Sequence, residues 1–215
     1  MEIKIAAAII IGYILGSIPF AYIIARLKKG VDIRKVGGGN VGALNTYREI
    51  GPVYGLGVLA ADILKGVLAV FVAKWLDISL AWVCVAGFAA VVGHNWPVFI
   101  KFKGGMGAAT VIGVLVALTT VETLISAGIV ILLIAITRNV RLALFALVFV
   151  PVFQWIFDKD FTYIACAIGL LLFIGLRLFI NLRKELAKVS NKKNLIIDKE
   201  YTAWQTKKMQ NNLEK

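Results

Sequence analysis

Long apolar runs constrain this chain more than any other feature. A bilayer core takes about 20 apolar residues per helix, and residues 3–25, 52–75 and 78–100 are each near that length. The stretch 107–136 is too long for one span and is interrupted by Thr119, Thr120 and Glu122. It reads as two short helices turning at Glu122. Runs at 140–157 and 163–180 follow. The sum is about seven spans, which makes the chain an all-α, polytopic membrane protein. Of its 215 residues 60% are hydrophobic and 17% charged. An ordinary soluble domain is about 25% charged, and a disordered chain is poor in apolar residues; both classes are excluded. The first run is too long for a signal-peptide core and lacks a small-residue cleavage site.

An odd number of spans puts the termini on opposite sides. Basic residues favour cytoplasmic connectors. With the N-terminus outside, the inner segments carry Arg26, Lys28, Lys29, Arg34, Lys35, Arg48, Lys101, Lys103, Arg138 and Arg141, then the tail. The outer segments carry only Lys4, Lys74 and Lys159, beside Glu2, Asp77, Glu122, Asp158 and Asp160. The expected orientation is therefore N-terminus outside and C-terminus inside. Residues 1–182 read as the transmembrane domain and 183–215 as a basic cytoplasmic tail. Near anionic headgroups each of its bases contributes about 1 kcal/mol; a solvated tail is the equal alternative. Because the net charge of +12 sits in connectors and tail, it follows membrane topology, and nucleic acid is not an expected partner. Cys84 and Cys166 lie inside apolar runs without metal-ligand spacing and read as two buried thiols. Gly12 and Gly16 have the spacing that lets helices approach closely.

Three places carry the chemistry. Asp62 and Lys65 lie within the second apolar run, where each costs roughly 2.5–3.5 kcal/mol at a helix centre. At i,i+3 they share a helix face and pair, either as a structural lock or as part of a site. The first inner connector, residues 32–48, contains Gly37-Gly38-Gly39-Asn40 and Asn45 between Arg34 and Arg48. Glycine-rich backbone can turn successive N–H groups onto an anion, and arginines can clamp a phosphate. Asn40 and Asn45 are candidates to orient polar substrate atoms. The next inner connector holds His94, Asn95, Lys101, Lys103, Gly104, Gly105 and Gly107, and leads directly into an apolar helix. Helix N-termini attract anions. His94, the only histidine, is suited to act near neutral pH.

All these groups emerge on one side. That disfavours an alternating-access transporter, whose site lies at the midplane. It suits an enzyme that takes a soluble anion from the cytosol and works on a lipid-soluble partner. Neither zinc spacing nor a nucleotide P-loop is present; no metal and no cofactor is expected.

The chain resembles the bacterial acyl-phosphate:glycerol-3-phosphate acyltransferase family, PlsY. The resemblance runs from Gly16-Ser17-Ile18-Pro19-Phe20 to about Arg183. It includes Asp32-Ile33-Arg34, the segment around Asn40, Gly42, Ala43 and Asn45, and Asp62-x-x-Lys65-Gly66. It also includes Gly93-His94-x-x-Pro97-x-Phe99 and Phe102-Lys103-Gly104-Gly105-x-Gly107-x-Ala109-Thr110. It implies seven helices with the N-terminus outside, in a bacterial inner membrane. It implies transfer of an acyl group from acyl phosphate to the 1-hydroxyl of glycerol 3-phosphate, giving lysophosphatidic acid for phospholipid synthesis. Membrane lipids are the remaining partners. By motif position His94, Asn40 and Asn45 are the implied catalytic groups. Arg48, Asp62, Lys65, Lys103, Gly104, Gly105, Gly107, Arg141 and Asn181 are the implied substrate-binding groups.

The chain departs from the family's pattern at polar positions. Gly38 stands where the pattern has Ser, Leu44 where it has Thr, and Met106 where it has a phosphate-binding Lys. Arg138-Asn139-Val140-Arg141 replaces Arg-Tyr-x-Ser, and Leu178 replaces a His while Asn181 remains. Arg141 or Arg177 is positioned in sequence to supply the missing charge. The alternative reading is a paralogue that binds lipid or acyl phosphate without turnover, regulates an active copy, or uses another acceptor.

Overall fold

The computed structural model describes residues 1–186, with side chains for residues 1–180 other than Arg141. The tail expected over 183–215 lies outside the described residues from 187 onward. Met1–Ile174 form one compact unit and Gly175–Lys215 a second, with the boundary inside the last helix.

Among the described residues the architecture is all-helical. The chain opens with α1 (Glu2–Ser17) and α2 (Phe20–Lys29), followed by α3 (Ala43–Glu49) in the first connector. Then come α4 (Pro52–Trp75), α5 (Leu80–Asn95), α6 (Ala108–Leu118) and α7 (Thr120–Thr137). The chain continues through α8 (Val140–Ala143) and α9 (Phe149–Ile156) to α10 (Phe161–Leu186). Five helical stretches are long and apolar enough to cross a membrane: Glu2–Lys29, Pro52–Trp75, Leu80–Ile100, Thr120–Thr137 and Phe161–Ile180. Ala108–Leu118 and Leu144–Ile156 are apolar but shorter.

Three expected helices are divided differently. The first run is broken at Ile18-Pro19. A residue before proline is pushed to extended backbone, and Ile18 has φ −63° and ψ 115°. The turn expected at Glu122 falls at Thr119 instead, and Glu122 enters the first turn of α7, where a carboxylate is favoured. The run 140–157 is not one helix. Pro151 lacks an N–H and crowds the preceding turn, and Leu144–Val148 tightens into 3-10 geometry ahead of α9.

Lipid supplies no hydrophobic force between helices, so small residues allow the close packing. α1 packs on α5, and α4 on α6. A Cβ at Gly16 would run into the Ala90 carbonyl of α5, and one at Gly113 into the Ile63 carbonyl of α4. The turn between α6 and α7 is tied to α9 by Gln154 Nε2, which donates to Thr119 Oγ1 at 2.9 Å. Lys159 lies 3.5 Å from the buried Glu122. Cys84 and Cys166 are free thiols hydrogen-bonded to one another; Cys84 is buried, whereas Cys166 is only half-buried. Ala21, Ala25, Ile33, Val41, Ile50, Val58 and Ile100 form an apolar floor that joins α2, α4 and both connectors.

Candidate active site

The first connector is a latched loop. Asp32 accepts from Arg34 through both carboxylate oxygens, at 2.9 and 2.7 Å. The third guanidinium arm of Arg34 donates to the Ile100 carbonyl at 3.0 Å, which joins the first connector to the second. The Arg34 guanidinium also stacks over Tyr22 at 5.0 Å. The hydrogen bonds from Arg34 hold the Asp32 carboxyl at about 2, below the ordinary 3.8. The same pairing raises Arg34. Arg34 therefore bridges loops and is not the phosphate clamp the spacing suggested.

Asn45 is likewise committed to the fold. Its Nδ2 donates to the carbonyls of Ile33, Val36 and Asn40 at 3.0–3.1 Å, and its Oδ1 accepts from the Gly38 N–H at 3.2 Å. An amide nitrogen carries only two donors. The substrate contact expected of Asn45 is thus corrected to a positioning role. Gly37 has φ +55°, and a Cβ there would strike the Asn45 Oδ1. Asn40 is half-buried, and among the described residues its side-chain amide has no partner. Arg48 is half-buried on α3.

The charged centre lies beneath this loop. Asp62 and Lys65, 2% and 3% exposed, form an ion pair of 2.8 Å on α4. His94, in the last turn of α5, brings Nδ1 to 3.5 Å from the same Asp62 oxygen. Lys65 Nζ also donates to the Ile18 carbonyl at 3.2 Å. The proline break between α1 and α2 frees this carbonyl from helix hydrogen bonding. Two helices and the break therefore converge on one buried ion pair.

The second connector seats on His94. Gly104 N–H donates to the Asn95 carbonyl at 3.2 Å, and Gly105 N–H to the His94 carbonyl at 3.1 Å. These two N–H groups are taken by α5, so they do not form the anion cradle expected of the glycine run. An α-helix leaves the N–H groups of its first turn without intrahelical partners, and α6 starts directly after Gly107 at φ +90°. A Cβ on Gly105 would meet both His94 Nε2 and the Val41 carbonyl. Only glycine lets the second loop lie against the imidazole and the first loop together. Lys103 is exposed.

The structure thus brings together Asp62, Lys65, His94, Gly104, Gly105 and Gly107, with Asn45 as the latch of the adjoining loop. It does not bring Lys103 to the buried pair. Arg141 and Asn181 have side chains outside those described. Sequence reasoning missed the Ile18 carbonyl, the Arg34–Ile100 bridge and Ser17. A proline inside an apolar run was the available signal for the first and last.

Residues 6–192 match the family described as glycerol-3-phosphate acyltransferase. The chain belongs to the glycerol-3-phosphate acyltransferase family. A relative from Dehalococcoides mccartyi, glycerol-3-phosphate acyltransferase 1, is 43% identical over 198 residues, 89% of this chain and 95% of the relative. The glycerol-3-phosphate acyltransferase of Thermosipho melanesiensis is 42% identical over 164 residues, 76% of this chain and 80% of that one. The crystal structure of PlsY, an integral membrane glycerol 3-phosphate acyltransferase in its glycerol 3-phosphate form, aligns with a TM-score of 0.78. The identity there is 36%, over 86% of this chain and 92% of that one. The lysophosphatidic acid form aligns at 0.76 and 35% identity, over the same shares. The acyltransferase family thus accounts for both the helical architecture and the two motif loops.

Proposed function

We propose that this chain is a multi-pass membrane acyltransferase that moves an acyl group from acyl phosphate to the 1-hydroxyl of glycerol 3-phosphate. The products are lysophosphatidic acid and inorganic phosphate. One observation carries the reading beyond family membership: a buried Asp62–Lys65–His94 cluster lies directly under a glycine loop at the start of α6. Acyl phosphate is already activated, so the protein's task is to align two anionic substrates and stabilise a tetrahedral oxyanion.

In this reading His94 polarises the acyl phosphate, with Asp62 fixing the imidazole through Nδ1. Lys65 supplies positive charge beside them. The first turn of α6, with Gly107, faces a phosphate. Arg48 and Asn40 contact polar substrate atoms from the latched loop, and Lys103 draws anions from the cytosol. Arg141 and Asn181 are assigned substrate contacts on motif position alone. The chain has about seven spans with the N-terminus outside, the orientation favoured by the basic inner connectors. Its membrane is the bacterial inner membrane.

The test is product formation in lipid nanodiscs supplied with palmitoyl phosphate and glycerol 3-phosphate. Mass spectrometry should show palmitoyl lysophosphatidic acid that requires both substrates and vanishes in His94→Ala. Palmitate alone would refute the acyl acceptor. Orientation is read by an impermeant thiol reagent in a Cys84→Ala/Cys166→Ala background. On intact cells Lys4→Cys should label and Lys103→Cys should not.

A further inference from the structure

Ser17 closes α1, is fully buried, and its Oγ has no hydrogen-bond partner. An unpaired buried hydroxyl costs about 1–3 kcal/mol. This one lines a pocket beside Lys65 and Asp62. Lys65 has a donor to spare in the same place. An ammonium carries three N–H donors, and among the described residues its partners are Asp62 and the Ile18 carbonyl. Ser17 and Ile18 are consecutive, so the hydroxyl lies beside the carbonyl that holds the ammonium, at the break in the helix.

His94 also lines the pocket, and Ile18, Pro19, Phe20, Val41 and Pro97 give it apolar walls. Two donors at the end of apolar walls suit a group that only accepts and that carries an apolar chain. An acyl carbonyl meets both conditions. A phosphate dianion does not, because the Asp62 carboxylate lines the same pocket and repels it. We infer that Ser17 Oγ and Lys65 Nζ hold the carbonyl oxygen of the acyl phosphate, an inference that rests on the acyltransferase reading. The 1-hydroxyl oxygen of glycerol 3-phosphate bonds to the carbonyl carbon, and the carbonyl π pair moves onto the oxygen that these donors stabilise. The oxyanion then reforms C=O and breaks the bond to the phosphate oxygen. Phosphate leaves with the hydroxyl proton as hydrogen phosphate. Ser17 becomes a catalytic residue that the motif loops do not contain.

The test has two arms, both on the full chain in nanodiscs. Ser17→Ala removes one oxygen and little volume. The account expects kcat to fall by about 100-fold, with the KM for glycerol 3-phosphate unchanged and the thermal midpoint preserved. The second arm needs no variant. A non-hydrolysable β-ketophosphonate with a 13C-labelled carbonyl is bound to the wild type, and its infrared stretch should lie below that of the analogue in an apolar solvent. A band at the apolar-solvent position, or full kcat in Ser17→Ala while the wild type transfers acyl groups, would overturn the inference and leave the acyltransferase reading standing. A wild type that transfers no acyl group would overturn the reading and the inference with it.

Discussion

Lys65 on α4 donates from Nζ to the carbonyl of Ile18 at 3.2 Å, across the break that Pro19 makes between α1 and α2. A backbone irregularity at membrane depth is tolerated where protein satisfies it, and here a buried ammonium does so. The same ammonium holds Asp62. The helix break, the ion pair and His94 are therefore one unit.

Breaking that unit on one side should cost more than removing the pair. Losing one partner of a buried ion pair costs about 3–5 kcal/mol, while replacing both with apolar residues is often neutral. Lys65→Met should lower the thermal midpoint in detergent, and Asp62→Leu/Lys65→Met should recover much of it. Activity should be lost in both. A double variant no more stable than Lys65→Met would show that the pair is not the unit described.

The seat of the second loop on His94 predicts a contrast between glycines. Gly105→Ala places a methyl against His94 Nε2 and the Val41 carbonyl. A displacement of about 1 Å in a catalytic group costs on the order of 100-fold in rate, and that loss is expected. Gly57→Ala on α4 meets nothing within 4 Å and should leave the rate unchanged. Rate assays on the two variants side by side check this.

The first loop should open when its latch is removed. Asn45→Ala removes the one side-chain amide that contacts four loop backbone groups. Limited trypsin digestion should then cut after Arg34 or Lys35 at least tenfold faster than in the wild type. Unchanged cleavage would mean that the apolar floor alone holds the loop.

Acid should loosen the same loop through Asp32. Its carboxyl is held at about 2, below the ordinary 3.8, by the hydrogen bonds from Arg34. A depressed carboxylate stabilises the fold above its unfolded value, and that stabilisation is lost as pH falls through the folded one. The thermal midpoint of the wild type should exceed that of Asp32→Asn at pH 5, and the gap should close between pH 4 and pH 2. A gap that stays constant over that range would remove Asp32 from the account.

Much of the fold was legible because membrane spans are read from run length and charge placement. The basic residues at 26–35, 101–103 and 138–141 punctuate the chain where helices end. What misled was local. Pro19 and Pro151 act on hydrogen bonding, which hydropathy does not register, so two runs read as continuous helices. In the site, residue type showed where chemistry gathers but not how each group is used. Arg34 and Asn45 looked like ligands because arginine and asparagine bind phosphates and hydroxyls. Both are instead saturated by backbone and carboxylate contacts that only the folded loop supplies. Ser17 had the opposite fate. It stands in the Gly16–Phe20 segment with no role assigned from sequence, and only burial without a partner distinguishes it.

The most direct test of the central claim is phosphate release from palmitoyl phosphate by the purified chain, with and without glycerol 3-phosphate, beside a Met106→Lys variant. The account predicts release by the native chain that depends on the acceptor, because the Asp62–Lys65–His94 centre and the α6 N-terminus are intact without a lysine at 106. No release, or release indifferent to acceptor, from folded native protein would contradict it.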